Sequence, residues 1–344
     1  MKTRRLVVRP LVAAWAGVAC TVAASAAPLY RIEPLPANDE LVPTRALAIN
    51  NQGVIVGAGR PPRPDGGLGD YDKPFRYRDG VTTRLSLPDY PGAGVASTVN
   101  SRGAAAGQAY HALGWNLQGR RKALARPPAC QGSVFVGQIN DVGQMAGAID
   151  CLVPQVTTAS LTEAGVTIEL GTLPGDIESW ATGINNAGQV SGTSMGVFPY
   201  LVHAFRWQAG VMQPLGTLGG AESEASAINA HGVVIGRSQM ANWVWHPFIH
   251  DGVTMQALPT CSQATIWPLA LNASAAVVGF EEGAHGGAVL IRKGRCHRLA
   301  DLLDGSGAGW ALTSAYGIND DGVIVGEGRF NGQSRAFVAT PVAR

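Results

Sequence analysis

Glu178 and Glu222 lie 44 residues apart, each seven residues ahead of an Asn that follows a branched apolar residue (Asn185, Asn229). Two carboxylates brought together on neighbouring loops could serve as acid and base in glycoside cleavage. Trp180, Glu224, Trp267 and Arg45 each stand five residues ahead of an Asn of this kind. Two aromatic platforms flanking a carboxylate would suit a sugar or a peptide, although large aromatics more often fill interfaces between elements. Trp243, Trp245 and His246 lie close to a strand start and read as packing. Asp65, Asp70 and Asp72 place three oxygen ligands in one loop, enough to interest a calcium ion, with a solvated loop as the plainer reading. Gly66 to Asp70 falls short of a calcium-binding nonapeptide, because the Asp comes one place early and the motif occurs once. Gly192 to Gly196 fits GxSxG around Ser194, but a nucleophile elbow needs a strand leading into a helix, and this segment follows a strand in an all-β pattern. The histidines are scattered and there is no CxxC, so no metal or cofactor is expected.

The elements that must position these residues are repeats. Asn50, Asn100, Asn140, Asn185, Asn229, Asn272 and Asn319 recur at steps of 50, 40, 45, 44, 43 and 47 residues. Each follows Ile, Val or Leu. Gly comes three residues later in all but one unit, where Ala275 takes its place, and seven residues later Gly is present every time, from Gly57 to Gly326. Periods near 45 belong to propellers and related arrays. An Asn opening a type I turn, closed by a left-handed Gly, joins two strands into a hairpin. A second hairpin follows in the unit, with strands at Phe75 to Tyr77, Phe205 to Trp207, Phe248 to His250 and Val289 to Ile291, and tight turns at Asp79-Gly80, Ala209-Gly210, Asp251-Gly252 and Lys293-Gly294. Four short strands per unit make a blade.

The expected fold is therefore all-β: a seven-bladed β-propeller of four-stranded blades, with units starting near 46, 96, 136, 181, 225, 268 and 315 in one domain over 27–344. Units two and three are the weakest, since Ala104 to Ala106 replace a branched run and the segment from Cys151 to Ser160 blurs a third strand, so six blades with a distorted insertion is the alternative count. The last unit lacks a fourth strand, while 29–36 supplies an orphan one: Ile32-Glu33-Pro34-Leu35 resembles Met212-Gln213-Pro214-Leu215. Pairing the two closes the ring and removes its open edges.

Lys2, Arg4, Arg5 and Arg9 precede an apolar run ending at Ala24-Ser25-Ala26, the layout of a cleavable export signal at 1–26. Thr3 to Val8 loosely resembles a twin-arginine signal and Gly17 to Cys20 a lipoprotein box, with Gly17 a poor fit to the latter. Without the leader, 22 basic and 24 acidic residues remain, so no basic stripe argues for nucleic acid, and no further apolar stretch argues for a membrane span. The four remaining cysteines fit an oxidising compartment. Cys130 and Cys151 flank the Asn140 turn nearly symmetrically, which favours Cys130-Cys151 with Cys261-Cys296 as the second pair among three connectivities. The Asn272 sequon occupies the turn position that Asn fills in every other unit, so turn chemistry accounts for it.

The unit Ala-x-x-Ile-Asn-x-x-Gly-x-Val-x-Gly, followed by His203-Ala204-Phe205 and Leu215-Gly216-Thr217-Leu218-Gly219-Gly220, resembles the HAF repeat of extracellular bacterial proteins, with variants at Lys73-Pro74-Phe75, His246-Pro247-Phe248 and Arg335-Ala336-Phe337. That resemblance implies a secreted or surface repeat protein and brings no activity with it. The long second-to-third and unit-to-unit connections gather on one rim, where binding residues are expected. The favoured reading is an exported, periplasmic or extracellular, monomeric and non-catalytic propeller that binds a glycan, peptide or protein partner. A carbohydrate-active hydrolase or lyase at the channel mouth and a purely structural surface protein are the alternatives.

Overall fold

The computed structural model describes residues 30–342 apart from 88–91, 110–111, 117, 124–129, 131, 153–154 and 285. The export leader expected at 1–26, with the cleavage expected after it, lies outside the described residues. Seven four-stranded antiparallel sheets follow one another as blades: 42–84, 95–123, 134–171, 176–214, 219–257, 266–298, and 310–341 completed by Tyr30–Pro34. The count is seven, not six. Unit two forms a blade from short strands, and the blurred third strand of unit three is Gln155–Glu163. Among the described residues no helix is long and apolar enough to cross a membrane.

The ring closes as its ends predict. Tyr30–Pro34 pairs antiparallel with Gln333–Pro341, Ile32 opposite Ala339. Its outer edge is covered too: Ser306 Oγ accepts from Ile32 N at 2.8 Å and Asp304 N donates to Tyr30 O at 2.8 Å, both from the segment between blades 6 and 7. Cys130–Cys151 and Cys261–Cys296 are the disulfides, as the spacing favours.

The recurrent Asn does more than cap its turn. In blade 1, Asn50 Oδ1 accepts from Gln52 N and Val54 N within the turn, while Nδ2 donates to the backbone carbonyl of Asn100 in blade 2 at 2.8 Å. The same bond runs from Asn100 to Asn140, and on to Asn185, Asn229, Asn272 and Asn319, which returns to Asn50 at 3.4 Å. Seven buried side chains thus sew the seven blades into a circle.

The invariant second Gly has a different cause. Every innermost strand carries a bulge three residues before its Asn, at Leu47, Ser97, Gly137, Thr182, Ser226, Leu269 and Tyr316. The bulged pair brings backbone so close that a Cβ on the facing Gly would lie between 1.8 Å (Gly147) and 2.2 Å (Gly192) from the carbonyl oxygen of the residue five before the Asn. In four blades the third-strand Phe (Phe75, Phe205, Phe248, Phe337), fully buried, covers that glycine. The core lies between blades: Phe75 and Ile55 of blade 1 pack with Val325 and Ala336 of blade 7.

Candidate functional site

Strand direction sorts the connections into two faces. The Asn turns and the tight hairpin turns share one; the second-to-third and blade-to-blade loops share the other. Arg45, Val95, Phe135, Trp180, Glu224, Trp267 and Ser314 occupy one register position toward the loop face, opposite Ala58, Gln108, Ala148, Thr193, Arg237, Phe280 and Glu327. Cross-strand pairing decides what each meets.

Blades 5 and 6 form the densest cluster. Arg237 Nη2 donates to Glu224 at 2.6 Å, and its guanidinium carbon stands 3.2 Å from the centre of the Trp267 ring and 5.0 Å from that of Trp245. Trp267 stacks on Phe280 and donates from Nε1 to Glu282 at 2.6 Å. Its ring is thus engaged by a cation and an aromatic of the same chain. Trp180 is half-buried opposite Thr193 in blade 4. Arg45 pairs with Asp72, which also holds Arg60 at 3.0 Å, so this carboxylate ties the loop at 61–72 to the channel wall.

The three candidate calcium ligands do not share a centre. Asp72 serves the two arginines, Asp70 pairs with Arg63 at 2.5 Å, and Asp65 accepts from Gly67 N at 2.9 Å. Among the described residues, Cys130, Cys151 and Glu169 are the one group of three metal-ligand types close together, and its two sulfurs are joined in a disulfide, leaving no thiolate to ligate. Ser194 is buried within a strand, accepting from Leu173 N at 3.1 Å and donating to the Glu178 carbonyl at 3.3 Å. Ser238 repeats those contacts in blade 5, with Leu218 N at 2.9 Å and the Glu222 carbonyl at 3.0 Å. The GxSxG serine is a recurring tie between blade and arriving loop, not an elbow. The Glu222 carboxylate accepts from Gln239 Nε2 at 2.5 Å.

A cavity of about 410 Å³ opens inside the ring of Asn turns, lined by all seven innermost strands from the bulge residue to the residue after the Asn. Arg45, Trp180, Glu224 and Trp267 are not among its lining residues. Tyr316 donates to Glu327 at 2.9 Å there, and burial, with the Glu327 charge and that hydrogen bond, pushes its phenol up to about 12.

Exposure divides the faces. Tyr71, Phe135, Phe198, Tyr200 and Trp243 are the exposed aromatics among the described residues, and all five lie toward the loop face, whereas the exposed apolar residues of the turns are valines such as Val142 and Val253. Trp243, expected to pack, is 67% exposed because its side chain projects from the tight turn after Met240. Phe198 and Tyr200 were absent from the sequence-based candidates; their only signal is two aromatics beside a Pro in a connection between strands.

The chain is similar in fold to the β-propeller domain of the Trilobed protease from Pyrococcus furiosus, described as having an open velcro topology (8% identity, TM-score 0.58, 89% of this chain and 99% of that one). It is also similar to YCF48 bound to D1 peptide (12%, 0.54, 91% and 95%) and to YCF48 from Cyanidioschyzon merolae (11%, 0.54, 90% and 99%). At such identities the likeness is one of fold. No protein-family model and no curated protein matches the chain, so the HAF-repeat resemblance stands on its motif.

Proposed function

We propose that this chain is an exported, non-catalytic β-propeller that binds a peptide, protein or glycan through its long-loop face. The observation that carries this reading is the confinement of exposed aromatic side chains to that face. Large aromatics left in water on one side of a rigid ring are characteristic of contact surfaces, where they supply area at low entropic loss. The solved propeller YCF48 with D1 peptide is a precedent for peptide recognition on this architecture. Trp180, Glu224, Trp267 and Arg45 remain proposed contributors near the channel mouth, with Trp180 the better platform because Arg237 and Phe280 already engage Trp267. Export is supported by the two disulfides and by the leader's composition.

The hydrolase alternative is weaker because Glu222 is held by Gln239 and the Ser194 hydroxyl is spent on backbone. The decisive measurement is binding to parallel glycan and peptide arrays, together with turnover on a broad glycoside panel. Tyr71→Ser, Trp180→Ala or Trp243→Ser should lower binding, while Val142→Ser and Val253→Ser on the turn face should not. Turnover abolished by Glu178→Gln would replace this reading with the enzymatic one. N-terminal sequencing of the exported protein should begin at Ala27.

A further inference from the structure

Charge is unevenly placed around the ring. From 127 to 265, the span of blades 3 to 5 and their flanks, the sequence has nine acidic residues and two basic ones, Arg206 and Arg237. Residues 27–126 and 266–344 together carry twenty basic and fifteen acidic. Arg237 is neutralised by Glu224. Toward the loop face of blades 4 and 5, Asp176, Glu178 and Glu222 therefore meet no lysine or arginine of their own blades, with His203 beside Asp176 at 3.2 Å.

The exposed aromatics concentrate on the same two blades. Phe198 and Tyr200 in blade 4 are 82% and 56% exposed and sit edge to face at 5.9 Å, and Trp243 with Val244 stands on blade 5. Tyr200 and Trp243 hold left-handed backbone, φ 61° and 65°. That region is disfavoured for a bulky residue, so both side chains are displayed against backbone preference as well as against water. Gln239, 6% exposed, supplies an independent sign. Its Nε2 is taken by Glu222, and its Oε1 is the one buried side-chain N or O among the described residues with no hydrogen-bond partner. What is missing beside this acidic cluster is a hydrogen-bond donor.

We infer that the loop face of blades 4 and 5 docks a cationic, apolar peptide segment of a partner protein. This rests on the loop-face reading above and narrows it to a place and a partner chemistry. Lysine or arginine side chains would meet Glu178 and Glu222, aromatic or aliphatic ones would cover Phe198, Tyr200 and Trp243, and an N–H would satisfy Gln239. The acidic excess over blades 3 to 5 favours such a partner over a neutral glycan, because it steers a cation from a distance and repels anionic competitors.

The test is selection of a random dodecapeptide display library on the immobilised exported chain, followed by fluorescence anisotropy with the most enriched peptide. Enriched sequences should interleave Lys or Arg with aromatic or aliphatic residues, and affinity should fall as salt rises. Phe198→Ser with Trp243→Ser, and separately Glu178→Gln with Glu222→Gln, should each weaken binding at least tenfold with unchanged thermal melting. A selection without basic enrichment, or either double variant binding like wild type, overturns the inference. Binding lost in Tyr71→Ser but not in these variants would keep the loop-face reading and reject this placement. Glycan retention lost in these variants would reject the partner class, and a concentration-dependent dimer abolished by Trp243→Ser would identify a second copy as the occupant.

Discussion

At the scale of single residues, two glycines of one unit are required for unlike reasons, and the difference is measurable. Gly53 has φ 74° with open space around it, so Gly53→Ala meets only backbone preference and should cost about 1–2 kcal/mol. Gly236→Ala places a methyl 1.9 Å from the Glu224 carbonyl oxygen and under Phe248, and should cost about 3 kcal/mol or more, since the bulged strand must move. Urea unfolding of both variants decides it, and equal losses would mean the bulge is soft. The Asn circle makes a second residue-scale prediction. Asn229→Asp keeps the acceptor that Val233 N uses but removes the donor to Asn272 O, leaving carboxylate facing carbonyl. A loss of about 1–3 kcal/mol is expected at neutral pH. The fold would raise this carboxyl's pKa, so stability should return as pH falls toward about 4, where the proton supplies the missing donor. A pH-independent loss would show that the inter-blade bond contributes nothing.

At the scale of elements, each disulfide fastens a blade to its flank: Cys130, ahead of blade 3, to the second strand of that blade, and Cys261, between blades 5 and 6, to the outermost strand of blade 6. A separation of 21 residues gives a chain-entropy gain of about 3 kcal/mol, so Cys130→Ser with Cys151→Ser should lower unfolding stability by roughly that much. Unchanged stability under reducing and oxidising conditions would contradict it. In blade 7, the Tyr316 phenol is raised to about 12 by burial first and then by Glu327. A raised folded pKa means that its contribution is complete below the unfolded value near 10 and is lost as pH rises toward 12. Alkaline melting curves should therefore fall more steeply for wild type than for Tyr316→Phe over that range; parallel curves would refute the coupling. Elements were also the most legible level of the sequence. The Asn and Gly spacings report backbone geometry that repeats, so the Asn hairpin of all seven units and the second hairpin of four could be located without coordinates. What the spacing did not carry was partnership across blades. Asn50 bonds a residue 50 positions on, and Arg237 reaches Trp267 of the next blade, contacts that leave no local trace. Exposure was equally hidden, because Phe198 and Trp243 have the composition of packing residues and only the direction of their loops puts them in solvent.

At the scale of the whole molecule, stability depends on a closed circuit in which every blade packs on two neighbours. Tyr30–Pro34 is a link of five residues, yet Tyr30 and Ile32 are 1% and 2% exposed, and the pairing joins residues more than 300 positions apart. Removing 30–35 would uncover the edge of Gln333–Pro341, a row of unpaired donors and acceptors of the kind that templates association. It would also strip the cover from Leu299 and Phe337, which pack in the same cluster as Tyr30 and Ile32. The truncated chain should elute as concentration-dependent oligomers and melt below wild type. A synthetic peptide Leu29 to Pro36 added in trans should restore the single-ring species, because the edge and the Ser306 hydroxyl that accepts from Ile32 remain in place to receive it. An Ile32→Asp peptide should fail, since that side chain points into the blade 6 and 7 core. If the truncated chain stays monomeric and equally stable, the other six blades close without the seam, and the paired termini are a convenience of topology and not the lock of the ring.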